Sequence, residues 1–478
     1  MKEVNILLGP PGTGKTTSLI SKVDEQLTKG VPSTKIGFLS FTTKAANEAK
    51  DRACAKFKLR PQDFPNFRTA HSLAFNWLGM STANVLNRRN YREIFDYLGI
   101  DYSGKSVDEE DTNAGSAAAV GDKILFIQNL AMAKMRPLKE EWEDSDFNED
   151  VDWLELERFQ RTLDAYKESK GLVDFNDMLY MFIGGSRFPT FDALFIDEAQ
   201  DLSKLQWTAM EPMIEKCPLV YVAGDDDQAI FRWAGADVDR FISLQGPSNV
   251  LNHSYRLRAN IHALCNDIIK QVENRREKDF NPREGGGNVE FISSIDDLDL
   301  SDGSWLLLAR NSYFLNAYED LCLSSGFSFS GRNSPLESDE LKAIRAYEHW
   351  RSGGDISEPD KKLILKFSRR LPDKPTLIWH EQLTKINDTL REYFIAALRR
   401  GESLTKVPRI KISTIHGAKG AEAENVAIIS DISNRCYESL QIQGDDEHRV
   451  AYVAASRARE NLYIIMPQTS NFFDYSIL

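Results

Sequence analysis

Apolar residues in this chain come in short runs that stop abruptly at glycine, proline or charge. Val4-Asn5-Ile6-Leu7-Leu8 ends at Gly9-Pro10-Pro11, the pattern of a buried strand that breaks into a loop. Similar runs recur at Ile36–Phe41, Ala193–Ile196, Leu219–Ala223, Trp305–Ala309, Val426–Ser430 and Leu462–Met466. Stretches of helical character lie near most of them, for instance Lys44–Lys56 and Leu257–Glu273. Strand alternating with helix predicts parallel sheets flanked by helices, an α/β fold. The runs fall into two groups, before and after residue 245, so two α/β domains are expected.

Two stretches interrupt the pattern. Residues 76–170 hold helix formers and no good strand candidate, with a polar, small-residue gap at Gly104–Gly121. They predict a helical insertion with a flexible loop. Residues 351–407 contain Ser352-Gly353-Gly354, a charged stretch and helical periodicity in Leu377–Arg400, and predict a second, reduced insertion. The expected first domain is then 1–75 with 171–245, and the second 246–350 with 408–478.

Composition adds limits. The 478 residues are 42% hydrophobic and 27% charged, ordinary for a globular chain. No apolar run approaches the ~18 residues of a membrane span, so no membrane partner is expected. The loop beginning at Gly9 leaves no room for a signal peptide. The five cysteines are scattered with no CxxC pair, which suits a reducing cytoplasm, or a host's cytoplasm for a viral or plasmid gene. The net charge of −13 argues against a nucleic-acid partner, until it is mapped. Residues 140–157 hold ten carboxylates and no Lys or Arg, and Asp108–Asp111 adds four more. Setting those fourteen aside moves the formal charge from −13 to +1. The acidic segment reads as a solvated face; a partner-docking or DNA-excluding surface is the alternative.

The candidate chemistry begins at Gly9-Pro10-Pro11-Gly12-Thr13-Gly14-Lys15-Thr16, which fits G-x-x-x-x-G-K-[ST] at every fixed position. Such a loop wraps backbone N–H groups around phosphates at a helix N-terminus. Gly9, Gly12, Thr13, Gly14 and Thr17 would line the nucleotide, Lys15 would reach its β- and γ-phosphates, and Thr16 would bind Mg²⁺. ATP chemistry also needs carboxylates. Leu194-Phe195-Ile196-Asp197-Glu198 supplies them after a strand, Asp197 for the metal and Glu198 as general base.

The string Asp197-Glu198-Ala199-Gln200-Asp201 resembles motif II of the UvrD/Rep/PcrA-type superfamily 1 DNA helicases, with the phosphate loop as motif I. Phe41-Thr42-Thr43-Lys44-Ala45-Ala46 resembles motif Ia, Thr69-Ala70-His71-Ser72 motif Ib, and Gly224–Trp233 motif III. Asn252–Arg256 is similar to motif IV, Thr414–Glu422 to motif V and Tyr452–Ala458 to motif VI. The resemblance implies two RecA-like P-loop NTPase domains with ATP and Mg²⁺ in the cleft between them. It implies that Gln228 senses the γ-phosphate, that Arg256 and Arg457 of the second domain face the transferred phosphoryl, that Tyr255 stacks on adenine and that Glu422 bonds the ribose. It also implies a track for single-stranded DNA: Phe41, Phe231 and Trp233 against bases, and Thr42, His71, Thr414 and His416 near the strand. The implied activity is ATP-driven movement on single-stranded DNA, 3′ to 5′, with strand separation at single-strand/duplex junctions. An ATP-gated single-strand-binding or protein-displacing factor, or an RNA-directed helicase, are the alternatives.

Three departures from the family pattern are expected to matter. The adenine-reading glutamine segment before the phosphate loop is missing, the insertion between motifs IV and V is cut down, and the strand-separating hairpin after motif VI is absent or replaced.

Overall fold

In a computed structural model of the chain, residues 3–105, 107, 118–442 and 444–476 are described. Asp108–Asp111 and the centre of the expected flexible loop lie outside them. The chain divides into two compact units, residues 1–285 with 438–452, and residues 286–437 with 453–478.

The first unit is built on six parallel strands. Its strands are β1 (Glu3–Leu8), β2 (Ile36–Ser40), β3 (Phe67–Arg68), β4 (Ala193–Asp197), β5 (Leu219–Gly224) and β6 (Ser248–Val250). They lie in the order β3-β2-β4-β5-β1-β6. Two apolar clusters flank this sheet. One includes Leu19, Val23, Phe38, Ala49 and Phe195, and the other Leu194, Ile196, Leu205, Trp207 and Phe241. Near-continuous apolar strands are what a parallel sheet buried on both faces requires. The apolar runs at Val4, Ile36, Ala193 and Leu219 become β1, β2, β4 and β5. The two-residue β3 and the half-exposed β6 carry too little apolar pattern to be seen.

Between Trp77 and Ala193 the described chain is helical, with Arg88–Leu98, Val120–Lys134, Leu138–Glu143, Trp153–Lys170 and Phe175–Ile183 as its helices. It has its own core of Phe95, Ile124, Ile127, Phe147, Phe159 and Leu163. Most of the acidic segment is the expected solvated face, with Glu140, Glu143, Asp144, Asp146, Glu149, Asp150, Asp152 and Glu155 exposed. Glu141 is buried and accepts from Lys134 Nζ (2.7 Å) and Arg136 (3.2 Å), and Asp144 also pairs with Arg136 (2.8 Å). Asp150 holds Lys123 at 2.8 Å, and Asp152 caps the helix Trp153–Lys170. Part of the acidic run is therefore internal wiring between neighbouring helices. A buried carboxylate persists only when paired in this way.

Residues 246–285, expected in the second domain, pack in the first unit. There β6 extends the sheet beside β1, with Ile6 opposite Ser248. The two-stranded β7 (His253–Arg258) and β8 (Asn281–Arg283) follow. Ser254 Oγ donates to Pro11 O at 2.7 Å across 243 residues of sequence, a contact no local pattern announces.

The second unit repeats the architecture with β9 (Asn288–Ile292), β10 (Trp305–Ala309), β11 (Phe329–Ser330), β12 (Ile410–Thr414), β13 (Ala423–Ile429) and β14 (Ala458–Ile465). The order is β11-β12-β10-β13-β14-β9, all parallel. The helices Asp339–Arg351, Glu358–Phe367 and Asp388–Arg400 gather a separate core of Tyr347, Phe367, Trp379 and Phe394. This helical part begins before residue 351. No helix among the described residues is long and apolar enough to cross a membrane.

Candidate nucleotide and nucleic-acid site

In a parallel α/β sheet, ligands gather at the carboxyl ends of the strands. Here β4, β5 and β1 are neighbours, so the segments that follow them converge. They are Gly9–Gly14 after β1, Asp197-Glu198 at the end of β4, and Asp225–Gln228 after β5. Gly9 N donates to Gly224 O at 3.0 Å, which ties the first to the third.

The phosphate loop is shaped by two left-handed glycines, Gly12 (φ 73°) and Gly14 (φ 78°). Gly14 leads into the helix Lys15–Thr28. Lys15 Nζ donates to Gly9 O (2.8 Å) and Thr13 Oγ1 to Pro10 O (2.8 Å). Thr16 Oγ1 donates to Asp197 Oδ2 at 2.8 Å, and Glu198 N donates to Asp197 Oδ1 at 3.0 Å. Burial and the neighbouring Glu198 charge push the Asp197 carboxyl up to about 7, against the pull of the Thr16 bond and Lys15. Two hard oxygens side by side suit Mg²⁺, which takes one or two carboxylates and completes its shell with phosphate and water oxygens. A bound cation would favour the ionised carboxylate.

Glu198 sits at φ 52°, a left-handed conformation uncommon for residues other than glycine and often found at functional sites. Gln200 Nε2 donates to Glu198 Oε2 (2.7 Å), while Gln200 Oε1 accepts from Asp225 N (3.0 Å). Asp225 Oδ2 in turn accepts from Gln228 Nε2 at 2.6 Å. Gln200 thus joins the expected base to the expected sensor. It was not singled out in the sequence, although it lies inside the acidic string.

Motif IV adds a wall to the same unit. Tyr255 N donates to Gly12 O (2.9 Å), and a Cβ added to Gly12 would lie 2.3 Å from Cβ of Arg256. Arg256 is therefore beside the phosphate loop within the first unit, not in the second as expected. Tyr255 is 69% exposed and flanks a cleft of about 500 Å³ with Thr13, Gly14, Thr17, Asn252 and His253. An exposed ring at a cleft beside a helix N-terminus offers a stacking face for a base.

Arg457 and Glu422 belong to the second unit, at the starts of β14 and β13. Arg457 is buried, donating to Val453 O (2.9 Å), Ala421 O (3.4 Å) and Ser456 Oγ (2.8 Å), and Arg459 lies 3.5 Å from Glu422. Thr414 ends β12 opposite Ala309 and accepts from Gly417 N at 3.2 Å; buried His416 follows it. The second unit thus separates Glu422 and Arg457 from Thr414 and His416, at opposite ends of its strands.

The expected strand-contacting side chains of the first unit follow β2, β3 and β5. Phe41 and Phe231 stack at 5.9 Å, and Trp233 stacks on Phe126 of the helical region at 6.1 Å. Phe126 had no signal in the sequence. Thr42 is exposed and caps the helix Thr43–Phe57 through Ala45 N. His71 packs edge-on against Phe175 (6.1 Å), and burial pushes its imidazole down to about 4. The unfolded chain binds that proton near pH 6.5, so stability present above 6.5 is lost as pH falls toward 4. Acidification from pH 7 to 5 should cost up to about 2 kcal/mol at this site, and His71→Gln should flatten that slope in urea titrations. An unchanged slope would contradict the burial.

Residues 1–248 match the UvrD/REP helicase N-terminal domain. This chain belongs to the UvrD/REP helicase family. Residues 371–469 match the UvrD-like helicase C-terminal domain, so both parts of the family pattern are present. Among similar proteins, the ATP-dependent DNA helicase PcrA of Staphylococcus epidermidis is 24% identical over 91% of this chain and 60% of its own length. A probable DNA helicase of Mycoplasma pneumoniae is 23% identical over 99% of this chain and 82% of its own. The Gabija protein GajB of Bacillus cereus is 24% identical, with 97% and 93% covered. The chain therefore spans about three-fifths of the PcrA relative, and most of the other two. The α/β architecture with two parallel sheets is that of the family's RecA-like domains.

Proposed function

We propose that this family member is an ATP-dependent DNA helicase or translocase that moves on single-stranded DNA, 3′ to 5′, coupling ATP hydrolysis to strand separation. The observation that carries the reading is the group Thr16–Asp197–Glu198–Gln200–Gln228 around the phosphate loop. These side chains are linked by hydrogen bonds at one sheet edge, which supports reading them as a metal-holding pair, a base and a phosphate sensor. Bound Mg²⁺ would be held by Thr16 and Asp197 and would neutralise charge on the phosphates. Lys15 would bind those phosphates, Glu198 would orient and deprotonate the attacking water, and Gln228 would register the γ-phosphate. Arg256 would place guanidinium charge against the transferred group.

The aromatic pairs Phe41–Phe231 and Trp233–Phe126 support a strand-stacking surface. Base stacking tolerates any sequence and is worth ~1–3 kcal/mol per base, which suits a motor. Trp233→Ala is expected to weaken strand displacement by about 10-fold or more while hydrolysis without DNA persists. Normal displacement by that variant would remove Trp233 from the track.

The decisive experiment measures ATP hydrolysis with no polymer, with oligo-dT and with oligo-U, beside strand displacement from 3′- and 5′-tailed duplexes. Stimulation by oligo-dT with displacement from the 3′ tail is expected. No stimulation by single-stranded DNA refutes the reading. A preference for oligo-U would move it to RNA, and stimulation without displacement would make the protein a clamp or protein-displacing factor.

A further inference from the structure

Three consecutive carboxylates, Asp225, Asp226 and Asp227, are essentially fully buried directly after β5. Buried charges persist only when compensated, and the compensation comes from a segment 50 residues further along. Lys278, itself 1% exposed at its side chain, places Nζ 3.2 Å from Asp225, 2.6 Å from Asp226 and 3.0 Å from Asp227. Arg275 grips Asp227 with two bonds, Nε at 2.8 Å and an Nη at 2.6 Å. Arg276 N donates to Asp226 Oδ2 at 2.7 Å. Arg449 donates to the backbone O of Asp226 (3.0 Å) and to Asn274 O (2.6 Å), and Asp445 accepts from Glu273 N and Asn274 N. Burial works against the Lys278 ammonium, but three carboxylates outweigh it and hold its pKa above the ordinary value.

The three acids are not equivalent. Asp226 and Asp227 spend their side chains on the cationic segment. Asp225 alone faces both ways: its Oδ1 meets Lys278 and its Oδ2 accepts from Gln228 Nε2, while its backbone N donates to Gln200, which holds Glu198. A rotated Asp225 side chain would withdraw this acceptor from the Gln228 amide. Gly224 leaves no slack behind it, because an added Cβ would lie 2.7 Å from both Gln200 Oε1 and the Phe241 ring.

We propose that Lys278 is a positioning residue for ATP hydrolysis, acting through Asp225 to fix the Gln228 amide. The inference rests on the proposed ATPase reading, in which Gln228 registers the γ-phosphate. Lys278 touches no nucleotide in this scheme. It orients an acceptor, the acceptor orients the glutamine, and the same Asp225 backbone reports to Glu198 through Gln200. Sensor and base would thus be set by one buried cation.

The test is a double-mutant cycle on the full chain, read as kcat and KM for ATP with saturating oligo-dT. Lys278→Met is expected to lower kcat by about 10- to 100-fold with KM changed by less than about threefold, the size of losing one preorganised transition-state contact. Gln228→Ala should lower kcat by a similar factor. In the Gln228→Ala background, Lys278→Met should then change kcat by less than about twofold, because both act on one contact. Lys278→Met leaves Asp225 and Asp226 without their buried cation while Asp227 keeps Arg275, so Asp226→Asn/Lys278→Met, which removes one charge of each sign, is measured beside it. Equal losses from Lys278→Met in both backgrounds would overturn the proposal, as would a folded Lys278 variant with normal kcat. If neither Lys278 variant folds, the residue is structural and the proposal fails. An inactive wild-type protein would instead strike the ATPase reading itself.

Discussion

Replacing Lys15 by alanine is expected to cut DNA-stimulated ATP hydrolysis by about 10³-fold while leaving the fold in place, since preorganised charge on the transferred phosphoryl is worth several kcal/mol. Lys15 opens the helix Lys15–Thr28, and its ammonium bonds Gly9 O at 2.8 Å. Its side chain lies across Gly9, where an added Cβ would meet Lys15 Cγ at 1.8 Å. The ammonium is therefore poised over the loop that would hold the phosphates. Alanine is the best helix former, so the helix itself should not suffer. The substitution acts a second time through Asp197. Lys15 is one of the influences drawing that carboxyl down toward about 7, and its loss pushes the carboxyl further up and weakens its hold on a cation. Steady-state hydrolysis, binding of a fluorescent ATP analogue and urea unfolding separate the effects. Hydrolysis should collapse, analogue affinity should fall, and the unfolding midpoint should stay put. A variant keeping more than about a tenth of wild-type kcat would end the assignment, because uniform binding alone does not account for such a residue.

The parts of the molecule legible in the sequence are those written locally. The run Val4–Leu8 into Gly9 gave strand and loop because the apolar run and its breakers are adjacent. Ala193–Ile196 running into Asp197 gave the end of β4 for the same reason. Sheet order was not written there, yet it brings Gly9, Asp197 and Asp225 together through β4-β5-β1. Contacts between distant segments were invisible for a physical reason. Ser254 on Pro11, Lys278 on Asp225 and Phe126 on Trp233 depend on tertiary packing, which leaves no periodic trace. Expectation and structure part at Arg256 because a motif gives order along the chain, whereas the unit a segment joins depends on the edge it meets. Here β6 completes the first sheet and carries the motif with it. Most of the acidic run is the solvated face its composition suggests, and its buried member, Glu141, was invisible for a related reason. Counting charges along residues 140–157 cannot show that Lys134, Arg136 and Lys123 reach in from the preceding helix and its end.

The wall that motif IV builds against the phosphate loop makes Gly12→Ala the second large effect, and Gly14→Ala its control. Both glycines are left-handed, so alanine at either costs about 1–2 kcal/mol in backbone strain alone. Beyond strain they differ. At Gly14 an added Cβ meets only Thr17 Cβ, at an ordinary 3.8 Å. At Gly12 it meets Arg256 Cβ at 2.3 Å, Ser254 Oγ at 2.9 Å and Arg256 N at 3.0 Å. Those atoms sit on or next to the backbone of β7 and cannot swing aside. The strand must retreat, taking with it the bonds from Ser254 Oγ to Pro11 O and from Tyr255 N to Gly12 O. Gly12→Ala should therefore cost about 1–3 kcal/mol more than Gly14→Ala in urea unfolding, as overpacking does. It should also open the cleft beside Tyr255 and slow ATP hydrolysis by about 10²-fold, the loss expected when a reacting group is misplaced by an ångström. Equal destabilisation by the two alanines would mean that β7 does not press on the phosphate loop. The placement of Arg256 and Tyr255 at the nucleotide would fall with it.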